Sequence, residues 1–357
     1  MANERIHDMP QTKGVYQVRG VISGVQKQDF YSEKKTKTGK DFRMVSFGVK
    51  YDHNKTISMM LNGMPKDKIY LSKKNSDGKT VIKAINWNSR NNIDPDGFRL
   101  IGVNVGLTKT TDKNGKQVND KKVLTEFDAC SYIAETMEDD TSVFVRGKLD
   151  FSSYTNDKNE LIHSIKFVPN QISLCKDVDF ETYDDDTNKP IHDFTQTIVF
   201  MGIDQEKVDD KATGRFVVEA KIVNYNSIES TSFIVENAKL ANQLRKALKP
   251  YWAITVYGKI NIVSNIQTVN EENCWGETNP MKNVNSPFKR ELVITGADPS
   301  SIDKESYTEK AISEAIRKMN AAKTAEMNFE GKTENTFNNG WGDINSINDD
   351  DEDTPWD

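Results

Sequence analysis

Positive and aromatic side chains alternate over residues 27–43, a combination suited to holding a polyanion that carries bases. Lysine and arginine neutralise phosphates, while an exposed ring offers a face for a base, each stacked base contributing about 1–3 kcal/mol. The cations are Lys27, Lys34, Lys35, Lys37, Lys40 and Arg43, and the rings are Phe30, Tyr31 and Phe42. Phe30 and Tyr31 are adjacent, so only one of them can face the core of a strand. Phe42 fits a core position equally well.

A second set of candidate residues lies further along the chain, in another lysine-rich segment. It comprises Lys73, Lys74, Lys79, Trp87 and Arg90. A single tryptophan beside asparagine and arginine is typical of a packed anchor as well as of a platform for a base. Tyr154, just past a predicted strand, is a further candidate ring. We expect these residues to add to the binding surface of residues 27–43.

Charge is distributed unevenly along the 357 residues, whose formal net charge is -6. Residues 13–126 hold 23 Lys and Arg against 11 Asp and Glu, a net of +12. Residues 176–342 hold 20 bases and 26 acids, a net of -6, and residues 343–357 hold seven acids and no base. The basic part suits a polyanion, although lysine-rich surfaces are also ordinary, and the acidic end suits a different partner.

The last residues, 349–357, read DDDEDTPWD and are too polar to fold alone. A run of charge is often only a solvated tail, but a proline and a tryptophan give this one an apolar tip that suits a basic-rimmed pocket. We expect a partner-binding element made of Asp349, Asp350, Asp351, Glu352, Asp353, Pro355 and Trp356. Alternatively, the segment occupies the protein's own basic surface until a polyanion displaces it.

Several classes of function are disfavoured. No apolar run is long enough to cross a membrane and the first residues lack a signal-peptide core, which favours a cytoplasmic protein. Cys130, Cys175 and Cys274 form no CxxC pair and do not cluster with the four histidines, so we predict no disulfide framework, metal or cofactor. The sequence shows no Ser/His/Asp set or Gly-rich phosphate loop, so we do not predict an enzyme. The acids in YDDDTN (183–188) fit a solvated linker better than a metal site.

The elements that must position the candidate residues are mainly β strands, because β-branched and aromatic residues alternate with polar ones. In the first part, strands are predicted over 15–26, 42–51, 69–74, 80–87, 98–109, 143–151 and 165–175, with a helix over 127–137. Hairpin turns are predicted at NSDGK (75–79) and DKNGK (112–116). The order recurs over 191–296, where a helix at 236–248 again precedes the last two strands. Five strands with a helix between the third and the fourth follow the order of an OB-fold barrel.

The two helix-to-strand segments align without a gap, residues 131–151 on 242–262. Gly147 falls on Gly258, and the lysine after each glycine also matches. Alternating strands resemble one another by chance, but the matched helix and Gly-Lys pair favour an internal duplication. We therefore predict two tandem OB-fold barrels, at 14–176 and 191–298, the first with an insertion at about 62–126.

For the remaining segments we predict a linker, a helix and a disordered tail. Residues 177–190 are predicted to be a linker, and 328–357 a disordered acidic tail. A helix is predicted over 304–327, with one apolar stripe that packs on the body or on a second subunit. The stripe consists of Ala311, Ile312, Ala315, Ile316, Met319 and Ala322.

Residues 127–175 resemble the C-terminal half of bacterial and phage single-stranded DNA-binding proteins. In that family an amphipathic helix precedes a strand of the form apolar-x-apolar-x-Gly-x-apolar, here VFVRGKL (143–149), then a hairpin and a closing strand. VRGVISG and FRMVSFGV resemble its first two strands, and DDDEDTPWD resembles its acidic tail. The resemblance implies non-catalytic, sequence-independent binding of single-stranded DNA in replication, recombination and repair, with the tail recruiting replication or recombination proteins.

The sequence departs from that family in three ways. The family tail usually ends on phenylalanine, whereas Trp356 is followed by Asp357. Two copies in one chain suggest a monomer or dimer instead of the common four-chain assembly, and the insertion at 62–126 suggests a phage-encoded variant. Two other functions stay open. One is an RNA-binding protein, and the other is an adaptor whose barrels bind peptides, which the net of +12 disfavours.

Overall fold

The computed structural model describes residues 6–36, 38–93, 96–155, 161–183, 187–208, 210–264 and 288–330. The described chain is mainly β, as the sequence predicts, and we divide its strands between a first unit (14–174) and a second unit (191–303). The main strands of the first unit are β1 (Gly14–Ser23), β2 (Tyr31–Lys35), β3 (Asp41–Asp52), β4 (Lys55–Gly63), β10 (Ser142–Thr155) and β11 (Leu161–Leu174), with helix α1 (Glu126–Thr136). Between β4 and α1 lie β5 (Lys68–Lys74), β6 (Thr80–Asn86), β7 (Arg99–Leu100), β8 (Val103–Thr111) and β9 (Gln117–Leu124).

The second unit has fewer elements. They are β12 (Ile191–Val208), β13 (Lys211–Val223), β14 (Ile228–Val235), α2 (Ala238–Ala247), β15 (Ala253–Ser264) and β16 (Phe288–Asp303). Helix α3 (Glu309–Glu330) follows. The duplicated order of strands and helix that the sequence predicts is therefore present.

Five strands of the first unit are joined in a continuous series of pairings. β1 pairs with β3 and β10, β3 with β4, and β10 with β11, all antiparallel. β4 and β11 pair in parallel at Met59 and Phe167, which brings the series back to its start. Helix α1 packs on β3 and β4, and the Thr125 side chain accepts a hydrogen bond from Asp128 N at its N-terminus.

The second unit repeats this series of pairings. β12 pairs with β13 and β15, β13 with β14, and β15 with β16, all antiparallel. β14 and β16 pair in parallel at Ile234 and Val293, as β4 and β11 do in the first unit. Helix α2 precedes β15 as α1 precedes β10.

The two units share both a sheet and a core. Residues Gly14–Arg19 of β1 pair antiparallel with Ile191–Gln196 of β12, so the two first strands lie side by side. One cluster of buried side chains runs through both units, with the Phe151 and Phe233 ring centroids 6.4 Å apart across the boundary. The core position of Phe151 agrees with its match to Ile262 in the repeat, which is also buried. The units therefore form one packed body.

The insertion between β4 and α1 forms two substructures. β5, β6 and β7 make a separate three-stranded sheet, named here the inserted sheet. β8 and β9 form a hairpin, and β8 extends the main sheet by pairing in parallel with β11. Both predicted turns connect hairpin strands, and Gly78 and Gly115 adopt φ angles of 75° and 76° there. The strand predicted over 98–109 is interrupted at 101–102.

Helix α3 packs on the second unit through the first part of its apolar stripe. Ile312 and Ala315 are buried with Met9 and Val223, and Ala311 and Ile316 pack against the same cluster. Ala322, predicted to belong to the stripe, is exposed. Within the described ranges, no helix combines the length and the apolar character needed to span a bilayer.

Candidate nucleic-acid interface

The hairpin of β2 and β3 presents the first group of predicted lysines. Lys27, Lys34 and Lys40 are exposed. Lys35 is exposed as well, but its Nζ lies 2.9 Å from Asp41 Oδ1, and hydrogen bonding to that carboxylate raises the pKa of Lys35. Lys37 lies outside the described residues. We therefore assign Lys27, Lys34 and Lys40 to the candidate interface.

Arg43 and Tyr31 face the helix α1 side of the same hairpin. Arg43 Nη2 lies 3.1 Å from Glu33 Oε1, and its guanidinium carbon lies 4.0 Å from the centroid of the Phe127 ring. Tyr31 Oη donates to Glu33 Oε2 at 2.9 Å. The Arg43 hydrogen bond, followed by that of Tyr31, lowers the pKa of Glu33. Both predicted site residues are thus part of an internal network, with their polar groups turned to Glu33.

The phenylalanine rings of residues 27–43 differ from the prediction in their burial. Phe30 is only 7% exposed and belongs to the core, so its assignment as a stacking residue is wrong. Phe42 is half-buried and pairs directly with Lys34 in the β2–β3 register. Val45 is buried, and strand alternation therefore turns Phe42 and Met44 to the opposite, outer face of β3. Phe42 is the ring on this face that lies beside an exposed cation.

Trp87 and Arg90 anchor the inserted sheet. Trp87 is too buried to stack on a base, which corrects its assignment as a binding residue, whereas the partly exposed Arg90 remains a predicted one. Trp87 is 9% exposed and packs edge-on against Phe127, with centroids 6.1 Å apart. Arg90 Nε lies 2.9 Å from Asp128 Oδ2, and its guanidinium carbon lies 4.7 Å from the Trp87 ring. Their partners stand about 40 residues away in the chain, at the first turn of α1.

The three lysines predicted beside them are exposed, but they differ in their contacts. Lys73 Nζ donates to Asp96 O at 2.5 Å and lies 5.7 Å from the Phe98 ring. Lys74 and Lys79 stand at the tip of the β5–β6 hairpin. The charges of Lys74 and Lys79 therefore point away from the body.

A cleft of about 720 Å³ lies between the two units. Tyr154, His163 and Ile165 line it from β10 and β11, while Lys221 and Ser230 line it from β13 and β14. Lys289 and Arg290, at the start of β16, complete a set of three cations, and Glu219 is the one carboxylate among the described residues that line the cleft. Sequence reasoning missed Lys289 and Arg290, since nothing in the chain order places them beside Tyr154.

Internal hydrogen bonds orient the cleft cations. Lys221 Nζ donates to Ser230 Oγ at 2.7 Å, and Arg290 Nη1 donates to Ile165 O at 3.3 Å across the unit boundary. Lys289 Nζ lies 3.4 Å from Glu291 Oε1. These contacts hold the three side chains along the wall of the cleft.

Lys221 has an equivalent in the first unit. It lies opposite Ser230 across β13–β14, and Lys50 lies opposite Thr56 across β3–β4. Each lysine also pairs with a valine of its unit's first strand. The outer face of β3–β4, which carries Phe42 next to Lys34 of β2, is therefore the counterpart of the cleft wall formed by β13–β14.

The remaining candidates give no catalytic arrangement. Among the described residues, no group of three or more His, Cys, Asp and Glu side chains has the geometry for a metal. Burial raises the pKa of the Cys130 thiol to about 12 and that of Cys175 to about 11, which disfavours the reactive thiolate. Cys274 and the predicted tail element, 349–356, lie outside the described residues.

Comparisons with known proteins place the chain in a family. No curated protein matches the sequence. Two solved structures of the single-stranded DNA-binding protein from Thermus aquaticus, a deletion variant and the wild type, are 9% identical and cover 81% of this chain and 94% and 93% of their own, with a TM-score of 0.37. A likeness at that TM-score carries no argument about function. The YorF family model matches residues 13–332, most of the chain. The protein is therefore a member of the YorF family.

Proposed function

We propose that this protein binds single-stranded DNA without sequence preference and without catalysis. The observation that carries the proposal is that Lys221, Lys289 and Arg290 line one cleft together with Tyr154. These cations belong to a region whose net charge is -6, so their grouping is not a consequence of a generally basic surface. A positive groove beside an aromatic ring is the arrangement that holds the backbone and bases of a single strand.

The pairing pattern supports the same function. We interpret each unit as an OB-fold barrel, because its first strand pairs with the second and the fourth, and its third pairs in parallel with its fifth. OB folds bind oligonucleotides on the face of their second and third strands. In the first unit that face carries Phe42 and Lys34, and in the second it lines the cleft with Lys221. The proposed interface therefore uses equivalent faces of two barrels.

The cleft has groups for both the phosphates and the bases of a single strand. Its polar lining of lysine, arginine, serine and threonine can contact phosphates, and its tyrosine can stack on a base. The exposed Lys27, Lys34 and Lys40 extend the positive surface over the first unit. Because these contacts go to the backbone and to ring faces, they provide affinity without reading a sequence.

We further propose the wider role that follows from such binding. The protein would coat single strands in phage DNA replication, recombination and repair in the host cytoplasm, as a monomer or dimer. The acidic segment 349–353 would steer replication or recombination proteins toward Pro355 and Trp356, which dock in a basic-rimmed pocket. The charge of this segment and its apolar end support this role.

A titration with labelled oligo-dT tests the proposal. We expect binding at low salt that weakens as log[salt] rises, with a slope near -0.7 for each phosphate neutralised. The absence of binding at low salt would overturn the proposal.

Deletion of residues 343–357 separates the two roles of the acidic segment, because tighter binding by the deletion protein would indicate self-competition. Preference for a matched RNA oligomer would reassign the function to RNA binding.

A further inference from the structure

The inserted sheet is fixed to the body by one of its two faces. Ile69 and Leu71 of β5 are buried on this inner face with Trp87 and Phe127. Two ion pairs, Lys66–Glu126 at 3.0 Å and Arg90–Asp128 at 2.9 Å, connect the same segment to the first turn of α1. Hydrophobic and ionic contacts therefore converge on one short stretch of helix. The opposite face of the sheet is held outward by this attachment.

The outer face of the inserted sheet carries an exposed ring between cations. Strand alternation places Lys68, Tyr70, Ser72 and Lys74 together, since Ile69 and Leu71 are buried on the other side. Tyr70 is 53% exposed. The lysines at positions 68 and 74 stand on either side of it, about 7 Å and 13 Å along the strand.

The neighbouring strands complete this face without a carboxylate. Across β6 the paired residues are Thr80, Ile82, Ala84 and Asn86, and across β7 Ser72 pairs with Arg99. Ile82 is 62% exposed, and Ile101, whose N–H bonds to Tyr70 O, is 51% exposed. Among the described residues paired on this face there is neither Asp nor Glu. Three cations, one ring and flanking aliphatic groups are thus presented together.

We propose that the outer face of the inserted sheet is a second platform for the single strand that the two units bind. Lys68, Lys74 and Arg99 would contact phosphates, and Tyr70 would stack on a base, with the small Ala84 leaving its face open. The inference rests on the proposed function. Charge decides the occupant, because the described residues paired on this face include three cations and no carboxylate, which favours a polyanion over an ordinary protein partner. The lysines that face inward, Lys73 and Lys83, approach the Phe98 ring and are not part of the platform.

Two lengths of oligo-dT distinguish the platform from the main interface. A short oligomer of about 15 nucleotides is near the site size of one OB fold, and one of about 45 can reach further surface. The test variant combines Lys68→Gln, Lys74→Gln and Arg99→Gln, and a second variant is Tyr70→Ala. The control combines Lys239→Gln, Lys246→Gln and Lys249→Gln, three exposed lysines on or just after α2. Thermal unfolding checks that every variant is folded.

The expected result is a loss confined to the long oligomer. The test triple should bind the long oligomer about tenfold more weakly, with a salt slope smaller by about 2, and the short one as the wild type does. Tyr70→Ala should weaken long-oligomer binding several-fold, and the photocrosslinked wild type should yield a labelled peptide that contains Tyr70. Unchanged long-oligomer affinity in the test triple would overturn the platform while leaving the proposed function in place. Failure of the wild type to bind either oligomer would instead reject the proposed function.

Discussion

Gly147 and Gly258 occupy the same position in the two units, at a β-bulge in the strand that follows the helix. Each lies opposite an aromatic residue of its unit's first strand, Tyr16 for Gly147 and Phe194 for Gly258. A Cβ on either glycine would overlap a backbone carbonyl oxygen of the next strand. Both units therefore have glycine where the next strand, β11 or β16, passes too close for any side chain.

Alanine at these glycines should destabilise the protein. Gly147→Ala and Gly258→Ala should each lower the free energy of unfolding by about 1–3 kcal/mol, because backbone must move to admit the methyl group. The matched control is Gly202→Ala in β12, where a Cβ would meet no atom within 4 Å. Urea denaturation measures all three. Equal stability of the three variants would contradict the steric explanation.

His192 connects the units and should make stability depend on pH. Its ring stacks on Tyr51 of the first unit with centroids 4.4 Å apart, and its Nδ1 donates to Ile260 O at 2.6 Å. Burial, with Lys259 and Lys55 nearby, lowers the pKa of His192 below its ordinary 6.5, although the Ile260 carbonyl and Asp193 act in the opposite direction. The folded state therefore favours neutral His192.

The lowered pKa of His192 makes the folded protein less stable as the pH falls. Above about pH 6.5 the ring is neutral in both states, and its contribution is fully present. As the pH falls below this value the unfolded chain binds a proton that the folded protein resists, so stability declines until the folded-state pKa is passed. His192→Gln should reduce the decline between pH 7 and pH 5, measured as the melting temperature at each pH. His163→Gln, an exposed histidine of the cleft, is the control and should keep the wild-type profile.

Trp87 should be a stability residue of the inserted sheet. Trp87→Ala removes a buried ring that contacts Phe127, and such truncations cost about 3–5 kcal/mol in a core. Because the lost contacts are local, amide exchange should speed up over residues 68–100 more than in the main sheet. Tyr70→Ala is the matched control, since this ring is exposed on the opposite face of the same sheet. Similar exchange in both variants would show that Trp87 does not anchor the sheet.

Local sequence patterns predicted most of the strands, the helices and their duplicated order, since these depend on alternation and turn residues. They did not predict β4 or β9. The hairpin turns at Gly78 and Gly115 fall where the sequence places them. The gap-free alignment of residues 131–151 on 242–262 also sets Phe151 against Ile262, and both side chains are buried. The strands and turns are encoded by residues that are close together in the chain.

Features that depend on distant partners were not predictable. Whether Phe30 or Tyr31 faces inward is decided by packing against the core and helix α1. Trp87 is buried because it packs edge-on against Phe127. The pairing of β1 with β12, which joins the two units in one sheet, has no local signal in either strand. Lys289 and Arg290 therefore became candidates only when the fold placed them beside Tyr154.

The cleft cations should contribute to DNA binding through their charge alone. A variant that combines Lys221→Gln, Lys289→Gln and Arg290→Gln removes all three charges. The Ser230 hydroxyl, which accepts from Lys221 and lines the cleft, can then hydrogen-bond to water. With about 0.7 of salt slope for each phosphate contact on a single strand, the slope should shrink by about 2. Affinity for a short oligo-dT should fall at least tenfold at low salt, and the loss should be smaller at high salt because screening already weakens these contacts.

Comparison with the α2 control separates a specific contact from a change in net charge. Lys239→Gln, Lys246→Gln and Lys249→Gln remove the same number of charges from exposed positions of the same unit. If only total charge matters, this control and the cleft variant will lose affinity equally. We expect the control to retain nearly wild-type affinity and salt slope, because a local groove field acts mainly on the phosphates that lie in it. Fluorescence anisotropy with the short oligomer at several salt concentrations measures both quantities, and equal losses would rule out the cleft as the binding path.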